Sequence, residues 1–176
     1  MTDHEVHHDR YPTHRRKVRF DWSDTPLHWV PGDPFSTHML NVLHLMLPAG
    51  ERWFIQVVNE AEPLVTDPEM KAAIKPFVQQ EGWHAQAHQM VLQHLAEQGI
   101  DSTPFTGTMQ EELPAVGDKK SRLPRVLQWW SLYQRLAVAA ALEPFNAALG
   151  QWTIQNRGLD YAGAPPASTA CRVRGC

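Results

Sequence analysis

The feature that most constrains the fold is a long helical pattern between Asp67 and Gly99, which carries signals for both of its ends. Aspartate is a preferred N-cap, proline is favoured at the first helical position, and glycine is favoured just beyond a helix end. The pattern therefore predicts one helix from Pro68 to about Gln98. Pro76 should kink or break it near its beginning, because proline lacks the amide hydrogen that an interior turn needs.

Two further helical patterns complete the predicted regular structure. The first begins near Ser36 or Thr37, is interrupted at residues 48–50, and resumes at Glu51 with apolar residues at helical spacing. The other runs from Leu123 to about Asn156, with Pro144 as a local conflict inside it. No stretch alternates polar and apolar residues as a strand would, and no internal repeat is visible. The sequence therefore predicts an all-α protein with three long core helices.

The remaining segments divide the chain into three parts. Residues 1–35 are polar, rich in histidine and punctuated by proline, which indicates an extended arm. Residues 36–157 form the helical, metal-binding domain, with a polar loop expected from Asp101 to Ser121. Residues 158–176 lack helical periodicity and are rich in Ala, Gly and Pro, which indicates a flexible tail.

Composition argues against several classes of protein. The 176 residues have the length of one ordinary domain. Lys and Arg number 16 against 19 Asp and Glu, and a net charge of −3 argues against a nucleic-acid binder. Both cysteines, Cys171 and Cys176, lie near the C-terminus, where they can build neither a disulfide framework nor a Cys-rich zinc site.

The N-terminus has no apolar segment after its basic residues, so no secretory signal is predicted and a cytoplasmic location is expected. The longest strongly apolar run, Leu136 to Leu142, is far shorter than the roughly 18 residues that a membrane span needs. No transmembrane span is therefore predicted. The tryptophan-rich stretch around Trp129 and Trp130 leaves peripheral membrane contact as an alternative.

Glu81, His84 and His88 form the sharpest candidate for a chemical site. A helix turns about 100° per residue, so these three positions share one face of the predicted helix. The Glu-x-x-His pair is typical of di-iron and di-manganese helical bundles, and its oxygen and nitrogen ligands suit iron or manganese. The alternatives are a solvated carboxylate at Glu81 and two surface or core imidazoles. The seven histidines before residue 45 are assigned no role.

Two further acids stand beside apolar residues. Glu51 precedes Trp53 and could bind a metal, or it could be a first-turn acid that favours the helix dipole. Glu143 ends the apolar run of the last helix, where a carboxylate is costly to bury unless it is paired or bound to a cation. The alternative for Glu143 is a short exposed stripe on an otherwise buried helix.

Several motifs follow one another along the chain. They are WVPGDP at 29–34, PAGERWF at 48–54, DPE at 67–69, QEGWHAQAH at 80–88 and ALE at 141–143. Their order resembles the predicted metal-dependent hydrolase family of bacteria over about residues 15–157. The ordered series is far more specific than any single motif.

The resemblance implies a ferritin-like di-metal carboxylate bundle that acts on a small-molecule substrate. Glu51, Glu81 and His84 would bind one metal, with Glu81 able to bridge to a second. Glu143 would belong to the second metal. His88 would be an added ligand or a group that orients one.

The sequence departs from the family near its end. Pro144 follows Glu143, and the fourth core helix with a second Glu-x-x-His is missing. We therefore expect a chain that is truncated or read out of frame beyond Gly158, with an incomplete bundle. An intact family member would hold two ions, whereas this chain would bind one, or bind metal weakly. Its open apolar groove would favour self-association.

Three functions remain open at this point. The family description predicts hydrolysis, in which the metal lowers the pKa of a bound water. The carboxylate-rich ligand set is more typical of a di-iron oxidase or oxygenase. An inactive fragment, or a non-enzymatic helical module, is the third alternative.

Overall fold

The computed structural model describes residues 20–112 and 124–155, and its regular structure there is helical throughout. Helix α1 spans Pro34–Ala61, α2 Pro68–Glu97, α3 Thr103–Glu112 and α4 Arg125–Gln155. A short 3-10 turn, Glu62–Leu64, joins α1 to α2. The prediction of an all-α helical bundle with three long helices is confirmed. The predicted tail and residues 1–19 of the predicted arm lie outside the described part of the chain.

Helix α1 is continuous, so the predicted interruption at residues 48–50 is wrong. The helix begins at Pro34, because the side chain of Asp33 accepts a hydrogen bond from the amide of Ser36 at 2.9 Å. It then passes through Pro48, which is buried. The burial of one face of α1 along its length outweighs the single hydrogen bond that a proline removes.

The segment before α1 is folded onto that helix. Gly32 has a φ of +74° and allows the chain to turn just before the cap. The amide of Val30 donates to Oγ1 of Thr37 at 3.1 Å, and the indole of Trp29 donates to Oδ1 of Asn41 at 3.1 Å. The last residues of the predicted arm therefore pack against the helical domain.

Helix α2 confirms the prediction made from its end signals. Asp67 accepts from the amides of Glu69 and Met70 at 2.9 and 3.2 Å. At the other end, Gly99 has a φ of +94° and the amide of Ile100 donates back to the helix. The helix continues through Pro76 without a break.

A short helix occupies part of the predicted loop from Asp101 to Ser121. The side chain of Asp101 accepts from the amide of Thr103 at 2.9 Å, which supports the first turn of α3. Helix α4 agrees closely with its predicted range and runs through Pro144. The expected loop was therefore wrong over residues 103–112, and residues 113–123 lie outside the described chain.

Helix α1 is the central element, and α2, α3 and α4 all pack against it. One apolar cluster joins α1 to α4 through Trp53, Phe54, Val57 and Leu132. A second forms around Leu92 of α2 and its neighbours, against the segment before α1. These clusters hold α2 and α4 against α1, the helix that carries Glu51.

Much of α4 faces outward. Trp129, Trp130, Tyr133 and Phe145 are all more than half exposed. None of the helices in the described ranges combines the length and apolarity needed to cross a bilayer.

Candidate metal centre

Glu51 of α1 meets His84 and His88 of α2 in one tight group. Oε1 of Glu51 lies 2.8 Å from Nδ1 of His84 and 3.7 Å from Nε2 of His88. The two Nε2 atoms of the histidines lie 3.0 Å apart. One ligand atom from each residue falls within 4.8 Å of the others, a spacing that a single metal ion could bridge.

Glu51 is buried in the middle of α1. Its side chain is 2% exposed, and Oε2 has no hydrogen-bond partner among the described residues. Because α1 begins at Pro34, the alternative of a first-turn acid that favours the helix dipole is wrong. A buried carboxylate with an unpaired oxygen is unfavourable unless a proton or a cation compensates it.

The two groups in closest contact shift each other's protonation. Burial raises the pKa of Glu51, which the nearby His84 partly offsets. The hydrogen bond to Glu51 raises the pKa of His84, although burial opposes it. His84 is also the most accessible of the three side chains, at 49% exposed. The group is therefore buried at Glu51 and reachable from solvent at His84.

Glu81 and Glu143 line the same cavity, outside the tight group. Glu81 is 4% exposed, and burial, then the charge of Glu143, raises its pKa to about 7. Glu143 also contributes to the raised pKa of Glu51. Burial and the neighbouring acids thus raise the pKa values of Glu51 and Glu81, which disfavours the ionised forms of both.

His44 of α1 is a site residue that sequence reasoning missed. It lines the cavity, and its Nδ1 lies 2.7 Å from Nδ1 of His88. Burial lowers the pKa of His44 to about 4 and that of His88 to about 3, so both rings are neutral at pH 7. The available signal was spacing, since residue 44 precedes Glu51 by two helical turns on the same face, once α1 is continuous.

The cavity has a volume of about 750 Å³ and lies between α1, α2 and α4. Its polar groups are the acids and histidines described above, together with side chains of α4 such as Asn146. Its apolar wall comes from Leu40, Leu43 and Leu47 of α1 and from Leu149 of α4. Such a space holds a small molecule with room beside the ligand group.

The donor set fits a divalent cation. Two imidazoles and one carboxylate are the ligands of catalytic zinc sites of the His₂Glu type and of non-haem iron sites. The unpaired Oε2 of Glu51 supports the same reading, because it supplies a buried negative charge without a fixed partner. A cation there would leave coordination positions free on the cavity side.

A model of a family described as predicted metal-dependent hydrolase matches residues 14–172. Neither the curated proteins nor the solved structures contain a match. The match spans most of the chain and includes every candidate ligand.

Proposed function

Since this chain belongs to the predicted metal-dependent hydrolase family, we propose that it hydrolyses a small molecule with a divalent cation held by Glu51, His84 and His88. The observation that carries the proposal is the buried carboxylate of Glu51, which has an unpaired oxygen and lies beside two imidazole nitrogens. A divalent cation at this point would lower the pKa of a bound water and polarise the bond under attack.

The chain's own residues would bind, orient and exchange protons around that cation. His88 is only 15% exposed and neutral at pH 7, which is the form that binds metals. Glu81, with its pKa raised to about 7, is suited to exchange a proton near neutral pH. The wall of leucines on α1 favours a substrate with a hydrocarbon portion.

The finer proposal is a ferritin-like di-metal carboxylate site that is incomplete in this chain. Glu81 and Glu143 are the acids that would hold a second ion, with Glu81 as the bridge. The raised pKa values of Glu51 and Glu81, to which the charge of Glu143 contributes, support a place for added positive charge. We propose iron or manganese as the metal, and one tightly held ion.

Metal analysis of the purified protein tests this proposal. We expect about one ion per chain after dialysis against Mn²⁺ or Fe²⁺ followed by gel filtration, as the three-ligand group predicts. Two tightly held ions would contradict the incomplete site. No bound ion at all would favour the alternative of an inactive fragment or a non-enzymatic helical module.

An oxidase or oxygenase is the second candidate function, because the set of two histidines and one carboxylate also occurs in non-haem iron oxygenases. Loading with Fe²⁺ in air distinguishes the two. Oxygen uptake above that of free Fe²⁺ would favour oxidation. Hydrolysis supported by Zn²⁺ or Mn²⁺ without oxygen would favour the hydrolase. A cytoplasmic location, peripheral membrane contact, self-association and the three-part division of the chain stay predictions from the sequence.

A further inference from the structure

We infer that His44 is a positioning residue, which accepts a hydrogen bond from Nδ1–H of His88 and thereby turns Nε2 of His88 toward the cation. The inference rests on the proposed metal site at Glu51, His84 and His88. It adds a residue that neither the ordered motifs nor the group of three ligands includes.

The geometry begins with the ring of His88, which stands between two other imidazoles. Its Nδ1 lies 2.7 Å from Nδ1 of His44, and its Nε2 lies 3.0 Å from Nε2 of His84. Only Nε2 faces Glu51, at 3.7 Å from Oε1. The nitrogen that can reach a cation shared with Glu51 is therefore Nε2, and the nitrogen that faces His44 is Nδ1.

The short contact between His44 and His88 can hold only one hydrogen atom. The hydrogen bonds that link His44, His88 and His84 can run in either of two directions. In one, His44 donates to His88, and His88 donates to His84; in the other, both hydrogen bonds run the opposite way. Coordination through Nε2 of His88 requires a lone pair there, which puts the hydrogen on Nδ1. His44 must then accept through Nδ1 and carry its own hydrogen on Nε2.

The position of His44 is well defined by the fold. It lies on α1 two turns before Glu51, and its ring centroid is 4.9 Å from that of His88. It is among the side chains that line the cavity, on the wall formed by α1. An acceptor that fixes the second ring nitrogen of a ligand histidine is worth about 10–100-fold in metal affinity when it is removed.

Two substitutions at His44 distinguish the loss of its hydrogen-bond acceptor from a change in packing. His44→Leu fills a similar volume but removes the acceptor, whereas His44→Asn retains a carbonyl oxygen at about the position of Nδ1. His38→Leu is the matched control, since His38 lies on α1 and packs against His28, outside the cavity lining. Zn²⁺ affinity is measured for each protein by competition with a chelating dye, after circular dichroism has shown equal helix content.

We expect His44→Leu to weaken Zn²⁺ binding by about 10–100-fold, and His44→Asn and His38→Leu to stay within about threefold of the unmodified protein. In ¹⁵N spectra of the Zn²⁺-loaded protein, His88 should carry its hydrogen on Nδ1 and His44 on Nε2. Unchanged affinity in His44→Leu would overturn the inference, as would equal losses in His44→Leu and His44→Asn. An unmodified protein that binds none of Zn²⁺, Mn²⁺ and Fe²⁺ would instead overturn the proposed function itself, and this inference with it.

Discussion

Helix α1 carries two glutamates in contact with basic side chains. The two acids differ in how many of their carboxylate oxygens have a partner. Glu60 forms a two-pronged ion pair with Arg135 of α4, with nitrogen–oxygen distances of 2.6 and 2.9 Å. Both of its oxygens are used, and its side chain is 28% exposed. Glu51 is more deeply buried, yet one of its oxygens has no partner among the described residues.

The difference teaches what each acid is suited for. A guanidinium that meets both oxygens of a carboxylate satisfies that acid, so Glu60 needs nothing further, and its contact with Arg135 holds α4 against α1. Two imidazoles that approach from one side, one of them neutral, leave the charge of Glu51 incompletely compensated. The first pair is a structural contact, and the second has the properties of a binding site.

The largest expected effect is the loss of Zn²⁺ affinity when Glu51 is replaced. Glu51→Gln removes one of three ligands and the carboxylate in direct contact with His84, so Zn²⁺ affinity should fall about 1,000-fold, or about 4 kcal/mol. Titration with a chelating dye as competitor measures the loss. Glu60→Gln is the matched control and should bind Zn²⁺ as tightly as the unmodified protein. Equal losses of Zn²⁺ affinity in both variants would contradict the different roles assigned to Glu51 and Glu60.

The next effect concerns stability. Arg135→Met leaves Glu60 without its partner, and breaking a largely buried pair should lower the free energy of unfolding by about 3 kcal/mol. Urea unfolding in the presence of a chelator measures it. Glu51→Gln, under the same conditions, should be unchanged or slightly more stable, because an unpaired buried carboxylate opposes folding. A fully stable Arg135→Met variant would contradict the structural role of the pair.

Metal addition should stabilise the protein through the site that contains Glu51, and not through the pair of Glu60 and Arg135. At a free Zn²⁺ concentration of 100 times the dissociation constant, the free energy of unfolding should rise by about 2.7 kcal/mol. A thermal melt with and without Zn²⁺ checks this. The Glu60→Gln variant should show the same rise, and the Glu51→Gln variant should show almost none.

The smallest expected effect is at Glu143, which lies outside the tight group. Glu143→Gln removes a neighbouring negative charge rather than a ligand, so Zn²⁺ affinity should fall about fivefold, or about 1 kcal/mol. The same dye competition measures it. A loss as large as that of Glu51→Gln would show that Glu143 binds the first ion directly.

The sequence alone was sufficient to predict the features that depend only on residues close together in the chain. Helix α2 carries its own cap at Asp67 and its own terminator at Gly99, and its Glu-x-x-His spacing fixes which side chains share a face. Glu51 and Glu143 were candidates because each stands beside apolar residues, and the resemblance to the family connected them with the pair on α2, which lies far away along the chain. All five predicted residues line one cavity, and their roles as ligands stay predictions.

The remaining features depend on packing between segments. The proline at position 48 gives the same local signal whether a helix ends there or continues, and burial against α2 and α4 decides in favour of continuity. His44 became a site residue only once that continuity put it two turns from Glu51. Its contact with His88, 44 positions away in the sequence, depends on the packing of α1 against α2, and the spacing from Glu51 is informative only when α1 is known to be continuous.

Because α1 is continuous, the direction in which Glu51 points is fixed relative to the side chains of the apolar cluster. Glu51 precedes Trp53 and Phe54 on the same uninterrupted helix, and those two rings are held between α1 and α4. Inserting one residue between positions 51 and 53 would rotate the carboxylate by about 100° relative to the rings. The packing of Trp53 and Phe54 against α4 therefore sets the rotational orientation of Glu51 about the axis of α1.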